Sequence, residues 1–84
     1  MNEIIFSKHA LEQMQMRGVS IEIARSILAK PQQIICEPGK KIYQSVVNFD
    51  TGNYLVRLFV NINKEPNLVI TVYKTSKIDK YYEG

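Results

Sequence analysis

The tetrapeptide Asp50-Thr51-Gly52-Asn53 separates two stretches of alternating side chains, and few architectures accommodate that arrangement. Asp and Asn tolerate left-handed backbone and Gly adopts it freely, so the segment predicts a tight reversal between strands at 41–49 and 54–62. A period of two in the second strand sets Tyr54, Val56, Leu58, Val60 and Ile62 on one side. Leu55, Arg57, Phe59 and Asn61 take the other. The chain is thereby committed to an antiparallel hairpin with one apolar face that something else must cover.

The N-terminal third supplies the cover. Ser7 is an N-cap candidate, because its hydroxyl can accept from a first-turn amide, and Gly18 suits a left-handed C-terminal cap. These signals predict a helix over 8–17, with Phe6 and Leu11 as a hydrophobic staple. Ser20 repeats the capping role, Glu22 complements the helix dipole, and Ile23, Ala24, Ile27 and Leu28 form one apolar stripe. Lys30-Pro31 ends this second helix near Ala29. The two helices form a hairpin across 7–29.

Beyond Pro31 the period is that of strands. A short strand is expected at 33–36, a turn at Glu37-Pro38-Gly39-Lys40, and a last strand at 68–74 after the turn at 63–67. The expected fold class is α+β: two N-terminal helices packed on one face of a roughly four-stranded antiparallel sheet, the meander covering 33–74. A polar and aromatic tail, 75–84, reads as either a short helix or an unstructured end. Agreement of the two periods predicts a core of Leu11, Met14, Ile23, Ile27, Val56, Leu58, Val60, Ile70 and Val72.

Composition narrows the function classes. The chain has 84 residues, 45% of them hydrophobic and 23% charged, which makes one globular domain and rules out a disordered chain. No apolar run approaches the roughly 20 residues of a membrane span, and no signal segment opens the sequence, so the expected location is cytoplasmic. Cys36 has no disulfide partner, and Cys36 with His9 is too small a donor set for a structural metal. Neither metal nor cofactor is expected. The net charge of +3 suits an anionic partner without requiring one.

Two groups of residues carry chemistry. By the alternation in the strands, Lys41, Tyr43, Arg57, Thr71 and Tyr73 are assigned to a basic and aromatic second face of the sheet, suited to phosphate contact and base stacking. Exposed strands also carry such residues for a plainer reason, since their stems pack while their heads stay wet. On the first helix His9, Gln13 and Arg17 stand at i, i+4 and i+8 and form one polar stripe. His9 is the one histidine in the sequence and a candidate acid or base near neutral pH; a histidine that merely bonds a neighbouring strand or cap has the same sequence signature.

The segments Phe6-Ser7-Lys8-His9-Ala10, Met14, Arg17-Gly18-Val19-Ser20, Pro31 and Thr71-Val72-Tyr73 resemble the small bacterial domain-of-unknown-function 4258 family. The likeness spans nearly the whole chain and is most specific between His9 and Ser20. That family looks related to the BrnT and RelE/ParE toxins, compact α/β proteins that act with a cognate antitoxin. The resemblance implies a RelE-like fold in which His9 and Arg17 are motif residues. Gln13 departs from the pattern, because arginine is frequent there in the family, and this takes one positive charge off the stripe. The function so implied is a metal-independent endoribonuclease of a toxin–antitoxin pair. His9, Arg17 and Tyr73 are the catalytic candidates, and Lys41, Tyr43, Arg57 and Lys74 are the RNA-binding candidates. RNA and an antitoxin are the expected partners. The alternative is a non-catalytic module that binds protein or nucleic acid through the sheet face or an edge strand.

Overall fold

Serine hydroxyls fix both long helices at their starts. The computed structural model describes residues 4–83. In it the first helix, α1 (Lys8–Arg17), is capped by Ser7, whose Oγ accepts from the Ala10 amide at 3.0 Å. The second, α2 (Ile21–Ala29), is capped in the same way by Ser20, which accepts from the Ile23 amide at 3.1 Å. Gly18 ends α1 at φ 69°, a left-handed conformation that costs a side-chain-bearing residue energy. Ser7→Ala and Ser20→Ala are each expected to cost about 0.5–2 kcal/mol, read as lower denaturant midpoints with unchanged slopes. Ser7 also bonds to the sheet, its amide donating to the Val69 carbonyl at 2.9 Å, so its backbone position is held independently of its hydroxyl.

Among the described residues the sheet has five strands, one more than the alternation predicts. They are β1 (Ile4–Phe6), β2 (Gln33–Glu37), β3 (Lys40–Phe49), β4 (Gly52–Asn61) and β5 (Asn67–Thr75), with a short helix, α3 (Ile78–Tyr81), after the last. The order across the sheet is β1-β5-β4-β3-β2. The fold is therefore α+β with a mixed sheet: β1 runs parallel to β5, with Ile4 opposite Asn67, and every other pairing is antiparallel. Three residues are too few to show a period, and Phe6 adjoins a helix cap, which is why β1 has no signature in the sequence.

The central hairpin closes more tightly than the tetrapeptide suggests. Phe49 pairs with Gly52, so only Asp50 and Thr51 form the loop, and Gly52 takes φ 133°. Between β4 and β5 the register shifts: Phe59 faces Thr71 while Val60 faces Val69, leaving Ile70 as an extra residue in the ladder. This bulge reverses the alternation of β5 along its length.

One apolar cluster follows from that register. Ala10 and Met14 of α1, Ala24 and Ile27 of α2, and Val19 between them join Val56, Leu58, Val60, Val69 and Val72. Two expected core residues are replaced. Val69 is buried where Ile70 was expected, because the bulge turns Ile70 out of phase. Leu11 is 47% exposed, since the face of α1 that enters the cluster is the one through Ala10 and Met14. The expected staple is thus absent: Phe6 lies in β1 and packs against the cluster, and Leu11 points elsewhere.

Candidate functional site

Register across a two-residue hairpin decides which side chains share a face, since directly opposite residues project to the same side. Tyr43 is opposite Leu58, and Lys41 is opposite Val60. Both therefore stand on the face of the apolar cluster, where Tyr43 packs against it and Lys41 is half-buried. The expected grouping of Lys41 and Tyr43 with Arg57 is corrected by this pairing. Alternation fixes which residues of one strand share a side, but only the register with its neighbour fixes which side that is, and amphipathic stems let Lys and Tyr occupy the rim of an apolar face.

Lys74 is on that face as well, opposite Val56. Its ammonium donates to the Arg17 carbonyl at 3.1 Å and lies over the rings of Phe49 and Tyr54, at 3.9 and 4.5 Å. A cation on a last-turn carbonyl satisfies an acceptor that the helix itself leaves open. Lys74 thus ties the end of α1 to β5.

The opposite face carries the row Gln44, Arg57, Tyr73, aligned across β3, β4 and β5. Arg17 reaches it from α1. Its guanidinium stands 5.4 Å from the centre of the Tyr73 ring, and its Nε donates to Gln13 Oε1 at 3.0 Å. Gln13 thus holds the neighbouring arginine in place. β1 pairs only with residues 67–69 of β5, which leaves the C-terminal half of that strand at the sheet edge beside the end of α1.

Arg57 is held twice. Its Nε donates to Gln44 Oε1 at 2.9 Å, and its guanidinium covers the Tyr81 ring at 4.5 Å and approaches Phe59 at 5.3 Å. Tyr81 in turn meets Tyr73 edge-on, with ring centres 5.9 Å apart. The Tyr81 phenol is lowered from its ordinary value, first by the neighbouring Tyr73 hydroxyl and then by the nearby charges of Lys80 and Arg57. Two guanidinium groups and two phenols are therefore contiguous on one side of the sheet.

Gln44 organises the row. It is fully buried, accepts from Arg57, and donates through Nε2 to Gln33 Oε1 at 2.7 Å and to the Tyr81 carbonyl at 3.2 Å. Because a guanidinium only donates, Gln44 must turn its oxygen to Arg57 and its amino group to Gln33. Gln33 then presents a fixed pair, its oxygen accepting from the Glu83 amide at 3.0 Å and its amino group donating to the Glu83 carbonyl. Ile42, Leu55 and Thr75, on the same face, are also buried.

The remaining candidate lies apart. His9 is exposed on the first turn of α1, about 12 Å along the helix axis from Arg17 by the rise of eight residues. Among the described residues it makes no side-chain hydrogen bond to the row. Gln33, Gln44 and Tyr81 belong to the site and carry no motif. Gln44 does leave a trace in the sequence, a polar residue at an alternating position between Ile42 and Val46.

A family model described as a domain of unknown function, DUF4258, matches residues 6–74. The chain belongs to that family. The match covers β1 in part, α1, α2 and β2 to β5 up to Lys74, so the DUF4258 region contains Arg17, Gln33, Gln44, Arg57 and Tyr73. It stops before α3 and Tyr81. Comparison of this DUF4258 chain with curated proteins gives no match. Comparison with solved structures gives none either. No helix among the described residues is long and apolar enough to cross a membrane.

Proposed function

We propose that this DUF4258 protein is a metal-independent endoribonuclease related to the BrnT and RelE/ParE toxins, working in the cytoplasm with a cognate antitoxin. In this reading α1 and α2 cover one face of the sheet and leave the Arg57 face to single-stranded RNA. The observation that carries it is the contiguity of Arg17, Tyr73 and Arg57, with Tyr73 directly opposite Arg57 and beneath the Arg17 guanidinium. Arg17 and Arg57 grip the scissile phosphate. As the ribose 2′-oxygen attacks phosphorus and the 5′-oxygen departs, the two guanidinium groups neutralise the charge that builds on the phosphoryl oxygens. Tyr73, the phenol held at that point, gives its proton to the departing 5′-oxygen while the attacking 2′-hydroxyl releases its own to water, and His9 stands about two turns of helix away.

The alternative, a non-catalytic protein-binding module, is favoured by one feature. Gln33 holds both backbone groups of Glu83, so this face already binds a peptide.

Salt dependence separates the two faces. Arg57→Ala is expected to weaken binding of a single-stranded RNA oligonucleotide and to flatten its salt slope by about one unit, the signature of one lost phosphate contact. Lys41→Ala, on the other face, is expected to leave the slope nearly intact. Titrations of both variants over a range of salt concentrations decide this, and equal losses in the two would remove the Arg57 face as the RNA track.

A further inference from the structure

The C-terminal segment has no reason to be ordered on its own. α3 is a single turn of four residues with none buried, and its N-cap, Lys77, makes no side-chain cap bond. One isolated turn fixes too much backbone for the hydrogen bonds it gains. What orders it is the sheet face. The Tyr81 carbonyl accepts from Gln44, the Tyr81 ring lies under Arg57, and the Glu83 backbone is bracketed by Gln33. Tyr82, between them, is extended, at φ −80° and ψ 121°.

Each of these contacts occupies a group that an RNA strand would use. A guanidinium can stack its plane on an unstacked base while its edge N–H groups hold a phosphate, and in Arg57 that plane is taken by Tyr81. A side-chain amide with fixed donor and acceptor is suited to a base edge, and here it is spent on a peptide unit that offers the same pair. The family match ends at residue 74, so the segment that fills the face lies beyond the region that makes it.

We propose that residues 78–83 are an internal strap, a built-in competitor in which Tyr81 takes the place of a nucleobase and the Glu83 peptide unit takes the place of a base edge. The inference rests on the RNA reading of the same face. RNA binds only to molecules whose strap is open, so apparent affinity is reduced by the open fraction. Loosening the strap raises affinity without adding any contact to RNA.

The test uses the full chain and two substitutions that loosen the strap differently. Tyr81→Ala removes the ring under Arg57. Glu83→Pro removes the amide that donates to Gln33 Oε1 and leaves the sheet untouched. Binding of a fluorescent single-stranded RNA oligonucleotide is measured by anisotropy, and the Tyr81 and Tyr82 amides are followed by NMR during the titration. The expected result is tighter binding in both variants, by about fivefold to tenfold if the wild-type strap is open about a tenth to a fifth of the time. RNA should also shift the wild-type strap amides towards their positions in a disordered peptide.

Wild-type binding that neither variant tightens, with strap amides unmoved by RNA, overturns the strap and leaves the RNA reading standing. Absence of RNA binding in all three proteins overturns both. Binding of a synthetic peptide of residues 77–84 to the Tyr81→Ala protein, with no RNA binding, assigns the face to a peptide partner and overturns the proposal as well.

Discussion

Leu58→Ala is expected to cost about 2–5 kcal/mol, and Leu11→Ala less than about 0.5 kcal/mol, although the two residues have equal claims to the core by periodicity. Leu58 has no exposed surface, and its neighbours in the cluster come from α1, α2, β4 and β5. Deleting its three outer carbons leaves a cavity that helices capped at Ser7 and Ser20 cannot move in to fill. Leu11 is nearly half exposed, so truncation returns little apolar area to water. The expected loss at Leu58 is a large share of the 5–15 kcal/mol typical of a domain, so its denaturant midpoint should fall steeply while the Leu11 variant overlays the wild type. A large loss at Leu11 would mean that α1 buries a different face.

Local chemistry made most of the elements legible. Two serine caps and one left-handed glycine set the limits of α1 and the start of α2, and a Gly-containing turn set the central hairpin. Features that depend on pairing between distant segments were not legible. β1 owes its existence to β5, more than sixty residues away, and the bulge at Ile70 is a property of the β4–β5 ladder. The candidate site divides in the same way. Arg17, Arg57 and Tyr73 stand together, a juxtaposition of helix and sheet that the sequence, which places Arg17 on a stripe and the other two on a strand face, leaves open. Lys41 and Tyr43 do not join them, because facing is decided by register and not by polarity. Gln33 and Gln44 carry little signal in the sequence, because an amide acquires a role only when a partner fixes which end it presents, and that partner, Arg57, is on another strand.

Cleavage chemistry is where the largest effects are expected. If the row handles RNA as proposed, Tyr73→Phe keeps the ring under Arg17 and removes only the hydroxyl. The rate of cleavage should fall by about 10²–10⁴, the usual contribution of one acid or base, with stability and RNA affinity nearly unchanged. Arg57→Ala should lower both affinity and rate, because a guanidinium on the phosphate acts in the ground state and more strongly as charge develops. It also leaves the buried Gln44 oxygen without its donor, so rates must be compared at matched folded fraction. His9→Ala should retain close to the wild-type rate, since His9 is exposed on the far turn of α1.

The decisive measurement is single-turnover cleavage of a single-stranded RNA by the Tyr81→Ala protein, in which the face is open, and by the same protein carrying Tyr73→Phe or His9→Ala. Cleavage is expected from the Tyr81→Ala protein and from its His9→Ala derivative, with a loss of at least about a hundredfold in the Tyr73→Phe derivative. Cleavage that survives Tyr73→Phe, or that His9→Ala abolishes, would contradict the assignment of catalysis to the Arg17–Tyr73–Arg57 row, and no cleavage in any of the three would contradict the enzyme reading itself.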